Sequence, residues 1–186
     1  MLDLPTSDDQ WYAHARNQIT ELLTDYGPIA VLWLDAAHVI PPARLQEAYD
    51  TVKSLQPDCL VVVNHGYGAN ARRIRYWPLD IIAGERSLAP SDGHVPTIEH
   101  NGKTYYIPME TCDTIAVGTH SKGWFWEPGE QMKEVQRELL TLYRKTRSRK
   151  TNLLLNAAPD RHGRLPATTV QCLLELGEAI RKLEKK

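Results

Sequence analysis

The sequence predicts an α/β fold on a parallel sheet, and two observations carry that expectation. Five apolar runs of strand length, "IAVLWLD", "DCLVVVNH", "LDIIAGE", "YYIPMETC" and "NLLLNAAP", are spaced widely enough for crossover connections. Such continuous runs suit strands buried on both faces, whereas half-exposed strands alternate. Between several of them lie segments with apolar residues at helical spacing, which is the repeat of a parallel α/β domain.

In chain order, the first helix is expected over "TSDDQWYAHARNQITELLTDYG", where Ser7 and Gln10 stand at capping-box spacing. Trp11, Ala15, Ile19, Leu22, Leu23 and Tyr26 form its apolar stripe, and Gly27-Pro28 stop it. After "IAVLWLD" a second helix carries Leu45, Ala48, Tyr49, Val52 and Leu55 on one side. "DCLVVVNH" is a strand, an arginine-rich irregular segment follows, and "LDIIAGE" is a short strand. A long loop is expected from Arg86 to Lys103, then the strand "YYIPMETC" and a second loop with Trp124 and Trp126. A helix near 130–147 carries Met132, Val135, Leu139, Leu142 and Tyr143. "NLLLNAAP" is the last strand, and the last helix carries Val170, Leu173, Leu176, Ile180 and Leu183.

Composition narrows the partners. The 22 Lys plus Arg nearly cancel the 23 Asp plus Glu, so no global field draws the chain to nucleic acid or to an acidic membrane surface. No apolar stretch approaches the roughly 20 residues of a membrane span, and "MLDLPTSDDQ" has neither the basic nor the apolar region of a signal peptide. A cytoplasmic protein is the expectation. Cys59, Cys112 and Cys172 form no C-x-x-C pair, and the histidines form no H-x-x-x-H pair; reduced thiols, no metal and no cofactor are expected.

Asp35, His65, Glu85, Glu110 and Asn156 are all read at or just beyond the C-terminal ends of apolar runs, the reactive edge of parallel α/β folds. "GYGANA" after the second strand matches a dinucleotide fingerprint, with Glu85 about twenty residues on. The fingerprint must open an amphipathic helix, however, and "NARRIRYWP" runs into Pro78 without apolar periodicity. Neither G-x-S-x-G nor a phosphate-loop motif occurs. A carboxylate pair remains. Glycosidases use one carboxylate to attack or to steer water and another to protonate the leaving oxygen. Asp35 and Glu85 would lie on alternate strands, which in a (β/α) barrel supply the same layer of inward side chains. Trp33, Trp124 and Trp126 add aromatic surface suited to sugar faces, although a strand Trp is more often core.

"QITELLTDYGPIAVLWLD", "DIIAGE" and above all "NLLLNAAPDRHGRLPATTVQCLLELGEAI" resemble the second half of the catalytic barrel of the α-L-fucosidases of glycoside hydrolase family 29, over nearly the whole chain. The resemblance implies a single partial domain over residues 1–186: an incomplete (β/α)8 TIM-type barrel with about five parallel strands and their helices. It implies a retaining, metal-free hydrolysis of terminal α-linked L-fucose from a fucosylated glycan or glycoside. Asp35, behind Trp33 and Leu34, matches the family's nucleophile, and Glu85 in "DIIAGE" is the best match to its acid/base. Glu110 in "PMETC" is the fallback acid/base or a sugar hydroxyl ligand, and Trp33, His65, Trp124 and Trp126 complete the expected substrate contacts.

The chain also departs from the family. The nucleophile strand usually reads closer to Trp-Phe-Asp-Gly, and here has Leu34 and Ala36. An arginine that many members place after the "VVN" strand is replaced by His65 and Gly66, with Arg72, Arg73 and Arg75 as possible substitutes. The family's first barrel half has no counterpart. A barrel needs eight strands, and a half left open exposes strand edges and an apolar face. The chain is therefore expected to be a fragment of a longer enzyme, one product of a split gene or a half-barrel that closes by dimerising. A complementary barrel half or a second copy is the expected partner, and activity is expected to need the missing half. The alternative is a non-catalytic half-barrel that binds a partner chain or a sugar.

Overall fold

A computed structural model of the chain describes residues 7–35, 41–64, 76–86 and 95–185. These fall into two compact units: one holds the described residues up to Gly84 together with Val95–Met109, and the other begins at Glu85 and resumes at Glu110.

In the first unit, helix α1 (Asp8–Asp25) opens as its sequence dictates: Ser7 Oγ accepts the Gln10 N–H at 3.3 Å, and Asp8 and Asp9 sit in the positive first turn. Its buried residues are Tyr12, Ile19 and Leu23, while Trp11, Leu22 and Tyr26 are 50, 42 and 65% exposed. The packed face is thus turned roughly 70° from the exposed stripe, at 100° per residue. The sequence reading merged the two faces, because apolar residues occupy both and only one is covered.

Gln56 then joins helix to strand. Its side-chain oxygen accepts the Ile29 N–H at 2.7 Å, and its amide donates to the Leu23 and Gly27 carbonyls at 2.8 and 2.9 Å, satisfying groups left over where α1 ends. Strand β1 (Val31–Leu34) pairs in parallel with β2 (Leu60–Val63), Leu34 opposite Val63. β2 pairs in parallel with β3 (Ile81–Glu85), Val62 opposite Ile81. Helix α2 (Pro42–Leu55) is the crossover between β1 and β2. Val61, Val62 and Val63 are all fully buried, as a strand covered on both faces requires. At the start of β3, Asp80 accepts the Val61 N–H and the Tyr49 hydroxyl and pairs with Lys53 at 2.8 Å.

The stretch expected to be the end of a loop is instead an antiparallel hairpin, β4 (Thr97–His100) and β5 (Lys103–Tyr106). Its two turn residues, Asn101 and Gly102, have φ of 49° and 73°. An Asn-Gly pair accepts two successive positive φ values, as a tight hairpin turn needs. Trp77 stacks on His100 at 4.3 Å and meets Tyr105 edge-on at 4.6 Å, fixing the hairpin to its unit.

Consequently the parallel strand expected over "YYIPMETC" begins later, as β6 (Met109–Thr114). In the second unit it pairs with β7 (Asn152–Asn156), Glu110 opposite Asn152 and Thr114 opposite Asn156. The helix expected near 130 starts at Val135, after Glu134 caps it by accepting the Gln136 and Arg137 N–H groups. Its first turn, Val135–Leu139, is π-helical and continues as α3 (Leu140–Ser148). Ile115, Val135, Leu139 and Leu140 pack with Cys172 and Leu176 of α4 (Ala167–Glu184) into one cluster. Five strands of a single sheet, parallel in every described pairing and alternating with helices, make an incomplete (β/α) barrel.

Candidate active site

Asp35 is the first residue past β1, exposed at the strand's C-terminal end. Its neighbour in register is Asn64, which follows β2. The Asn64 backbone N–H donates to the Leu34 carbonyl at 3.0 Å, and its side-chain amide donates to Asp35 Oδ1 at 2.9 Å. Asn64 is buried, so its orientation is fixed, and its amide orients the carboxylate. The sequence reading missed Asn64. Its signal was available: it ends the "LVVV" run just as Asp35 ends "VLWL". Trp33 is half-buried within β1, opposite Val62. His65, the "GYGANA" motif and Arg72, Arg73 and Arg75 lie outside the described residues.

In the second unit, Glu85 is half-buried as the last residue of β3. Arg86 leaves the strand with φ of 48° and its N–H donates to the Cys112 carbonyl at 2.8 Å. That turn carries its guanidinium to four groups. It donates to the Lys122 carbonyl and to Thr114 Oγ1, lies 3.8 Å from the Asp113 carboxylate, and rests 5.4 Å above the Trp124 ring. Lys133 pairs with the same Asp113 oxygen at 2.8 Å, so Asp113 holds two cations near one strand end. From β7, Asn156 donates to the Gly123 and Trp124 carbonyls at 3.2 and 3.0 Å.

Trp124 and Trp126 thus sit on a loop rooted at strand C-terminal ends. Within it Glu127 accepts the Thr119 hydroxyl at 2.5 Å and the Ser121 N–H at 2.6 Å, together with the Thr119 and His120 N–H groups. The Thr119 hydroxyl, followed by the Ser121 amide, pulls the Glu127 carboxyl down to about 2. Arg86, Asp113 and Asn156 are what the sequence reading left unassigned around these tryptophans; only Asn156 had been placed at the strand edge.

Glu110 requires a correction. It is the second residue of β6, opposite the first residue of β7, and Asn152 donates to its Oε2 at 2.7 Å. It is buried at the N-terminal end of that strand, away from the reactive edge to which the sequence reading assigned it. The error follows from the hairpin, which uses up the first half of the apolar run. The buried Cys59 and Cys172 thiols are pushed up by their burial, which makes them poor nucleophiles. Among the described residues no group of three His, Cys, Asp or Glu is placed to hold a metal ion, and no helix is long and apolar enough to cross a membrane.

Comparison with known proteins sets this geometry in a family. Residues 3–184 match the family model described as alpha-L-fucosidase. The chain is 28% identical over 176 residues to alpha-L-fucosidase 1 of Arabidopsis thaliana, covering 87% of this chain and 33% of that protein. Its fold is similar to that of alpha-L-fucosidase isoenzyme 1 from Paenibacillus thiaminolyticus, with a TM-score of 0.68 at 23% identity over 97% of this chain and 41% of the other. It is also similar to alpha-L-fucosidase AlfC from Lactobacillus casei in complex with alpha-L-fucose product, with a TM-score of 0.67 at 25% identity over 92% of this chain and 45% of that one. The chain spans about a third of the length of the plant protein and less than half of either bacterial one. On a match that runs almost from end to end, the chain belongs to the alpha-L-fucosidase family.

Proposed function

We propose that this chain carries the carboxylates of a retaining glycoside hydrolase that releases terminal α-linked L-fucose. The observation that carries the reading is that Asp35 and Glu85 each stand at the C-terminal end of a parallel strand, in a chain matched by the fucosidase family model. In the first step Asp35 attacks the anomeric carbon while Glu85 gives its proton to the departing glycosidic oxygen, so that the alcohol leaves and a fucosyl ester forms. In the second, Glu85 takes a proton from water, the water oxygen attacks the same carbon, and the ester bond to Asp35 breaks. Two inversions return the original configuration. Asn64 holds Asp35 in line, and Trp33, Trp124, Trp126 and His65 are proposed to contact the sugar.

The remaining strands of the barrel come from another stretch of a longer chain, from a complementary half or from a second copy, and turnover is expected to need them. Edge residues support that need: Val31 of β1 and Leu154 of β7 are 41 and 44% exposed. The test is nitrophenol release from 4-nitrophenyl α-L-fucoside by the chain closed with its remaining barrel strands, with Asp35→Ala as control. The expected result is turnover that falls by at least about a thousandfold in the variant, the scale of losing a covalent nucleophile. Turnover retained in Asp35→Ala contradicts the reading. A second reading is a half-barrel that binds a sugar or a partner without turning it over, and sugar binding without turnover by the closed barrel would support it.

A further inference from the structure

The loop between Val117 and Gln131 is tied down along its length, yet it holds an aromatic ring out in solvent. Its ends are closed by the Val117 N–H donating to the Gln131 carbonyl at 2.8 Å and the Lys133 N–H to the Ile115 carbonyl at 2.9 Å. Glu127 gathers residues 119–121, Ser121 Oγ donates to the Phe125 carbonyl at 2.8 Å, and Asn156 holds the Gly123 and Trp124 carbonyls. Glycines are required where strands of the loop touch. A Cβ on Gly118 would lie 2.0 Å from Gly123 N, and one on Gly123 would lie 2.2 Å from the Ala116 carbonyl oxygen. On this frame the run Trp124-Phe125-Trp126 carries two half-buried indoles and, between them, Phe125 at 75% exposure. A phenyl ring left in water forgoes the free energy of burial. Here the exposure cannot be put down to a loose loop.

We infer that Phe125 is the stacking surface for the leaving group, the sugar or aryl ring to which fucose is attached; this rests on the hydrolase reading above. The placement follows from the chain of contacts. An acid at Glu85 must face the oxygen between fucose and its leaving group. Arg86, the next residue, lies over Trp124 and holds the Lys122 carbonyl, so the loop is anchored beside the acid. Phe125 follows Trp124 directly. A flat, exposed apolar ring on this anchored loop suits the C–H face of a pyranose or an aryl ring, and it would add affinity without touching the fucose itself.

The experiment compares calorimetric binding of free L-fucose and of 4-nitrophenyl α-L-fucoside to the full chain, as wild type, Phe125→Ala and Phe125→Trp. The expected result is that the aryl fucoside binds wild type more tightly than fucose does. Phe125→Ala removes up to about tenfold of that advantage, the size of one aromatic contact, with fucose affinity unchanged, and Phe125→Trp retains it. An advantage that survives Phe125→Ala overturns the inference and leaves the hydrolase reading standing. Equal loss of both ligands overturns it too, as does a change only in the concentration dependence of sedimentation, which would make the ring a contact between copies. The predicted pattern without any turnover keeps the inference about the ring and sinks the hydrolase. Binding of neither probe by wild type overturns both.

Discussion

At the scale of single residues, two carboxylates are held in different ways, and the difference sets what each can do. Asp35 accepts the Asn64 side-chain amide and stands exposed at the end of its strand, open to a reactant. Glu127 is met by a hydroxyl and several backbone N–H groups, which spend its charge on holding a loop. Because those donors bring its folded value to about 2, below the ordinary carboxylate near 4.3, the stabilisation it gives is fully present above that ordinary value and is lost as pH falls toward 2. Glu127→Gln should therefore lower the thermal midpoint at neutral pH, with the gap to wild type closing between about pH 4.5 and about pH 2. A gap that stays constant with pH would mean that the charge is not what holds the loop. The sequence made Asp35 and Glu85 visible because each interrupts an apolar run at its end. Asn64 and Arg86 were less visible, since an amide or an arginine after a strand reads equally well as solvated loop. What singles them out is the register and the left-handed turn, and those exist only in three dimensions.

At the scale of elements, the crossover helices and buried strands were legible because burial on both faces leaves a run such as "LVVV" with no polar alternation. The hairpin was legible too, in Asn101-Gly102 flanked by β-prone residues, but it was read through as loop and strand. That single misreading displaced Glu110 from one end of β6 to the other. The packed face of α1 was not legible, because Trp11, Leu22 and Tyr26 are as apolar as the residues that are buried. The loop 117–131 is an element in its own right, and its test is Gly118→Ala. The added methyl meets Gly123 backbone at a position whose φ is already 61°, so the chain should lose about 2 kcal/mol or more, read as a lower denaturation midpoint. An unchanged midpoint would show that the two glycines do not need their close approach.

For the whole molecule, the fold class followed from the rhythm of strand and helix alone, while the incompleteness followed from counting: about five strands where a closed barrel has eight. The family match agrees with both, and the chain's share of its solved relatives, 41 to 45% for the two described, fits five strands of a larger barrel. The central claim is chemical, that Asp35 forms a bond to fucose. It is tested most directly by incubating the chain with 2-deoxy-2-fluoro-α-L-fucosyl fluoride, whose fluorine at C2 slows breakdown of a glycosyl ester, and locating the label by peptide mass spectrometry. The account predicts one fluorofucosyl group on the peptide containing Asp35, absent in Asp35→Ala. A label on another residue would contradict it, as would none on the closed barrel.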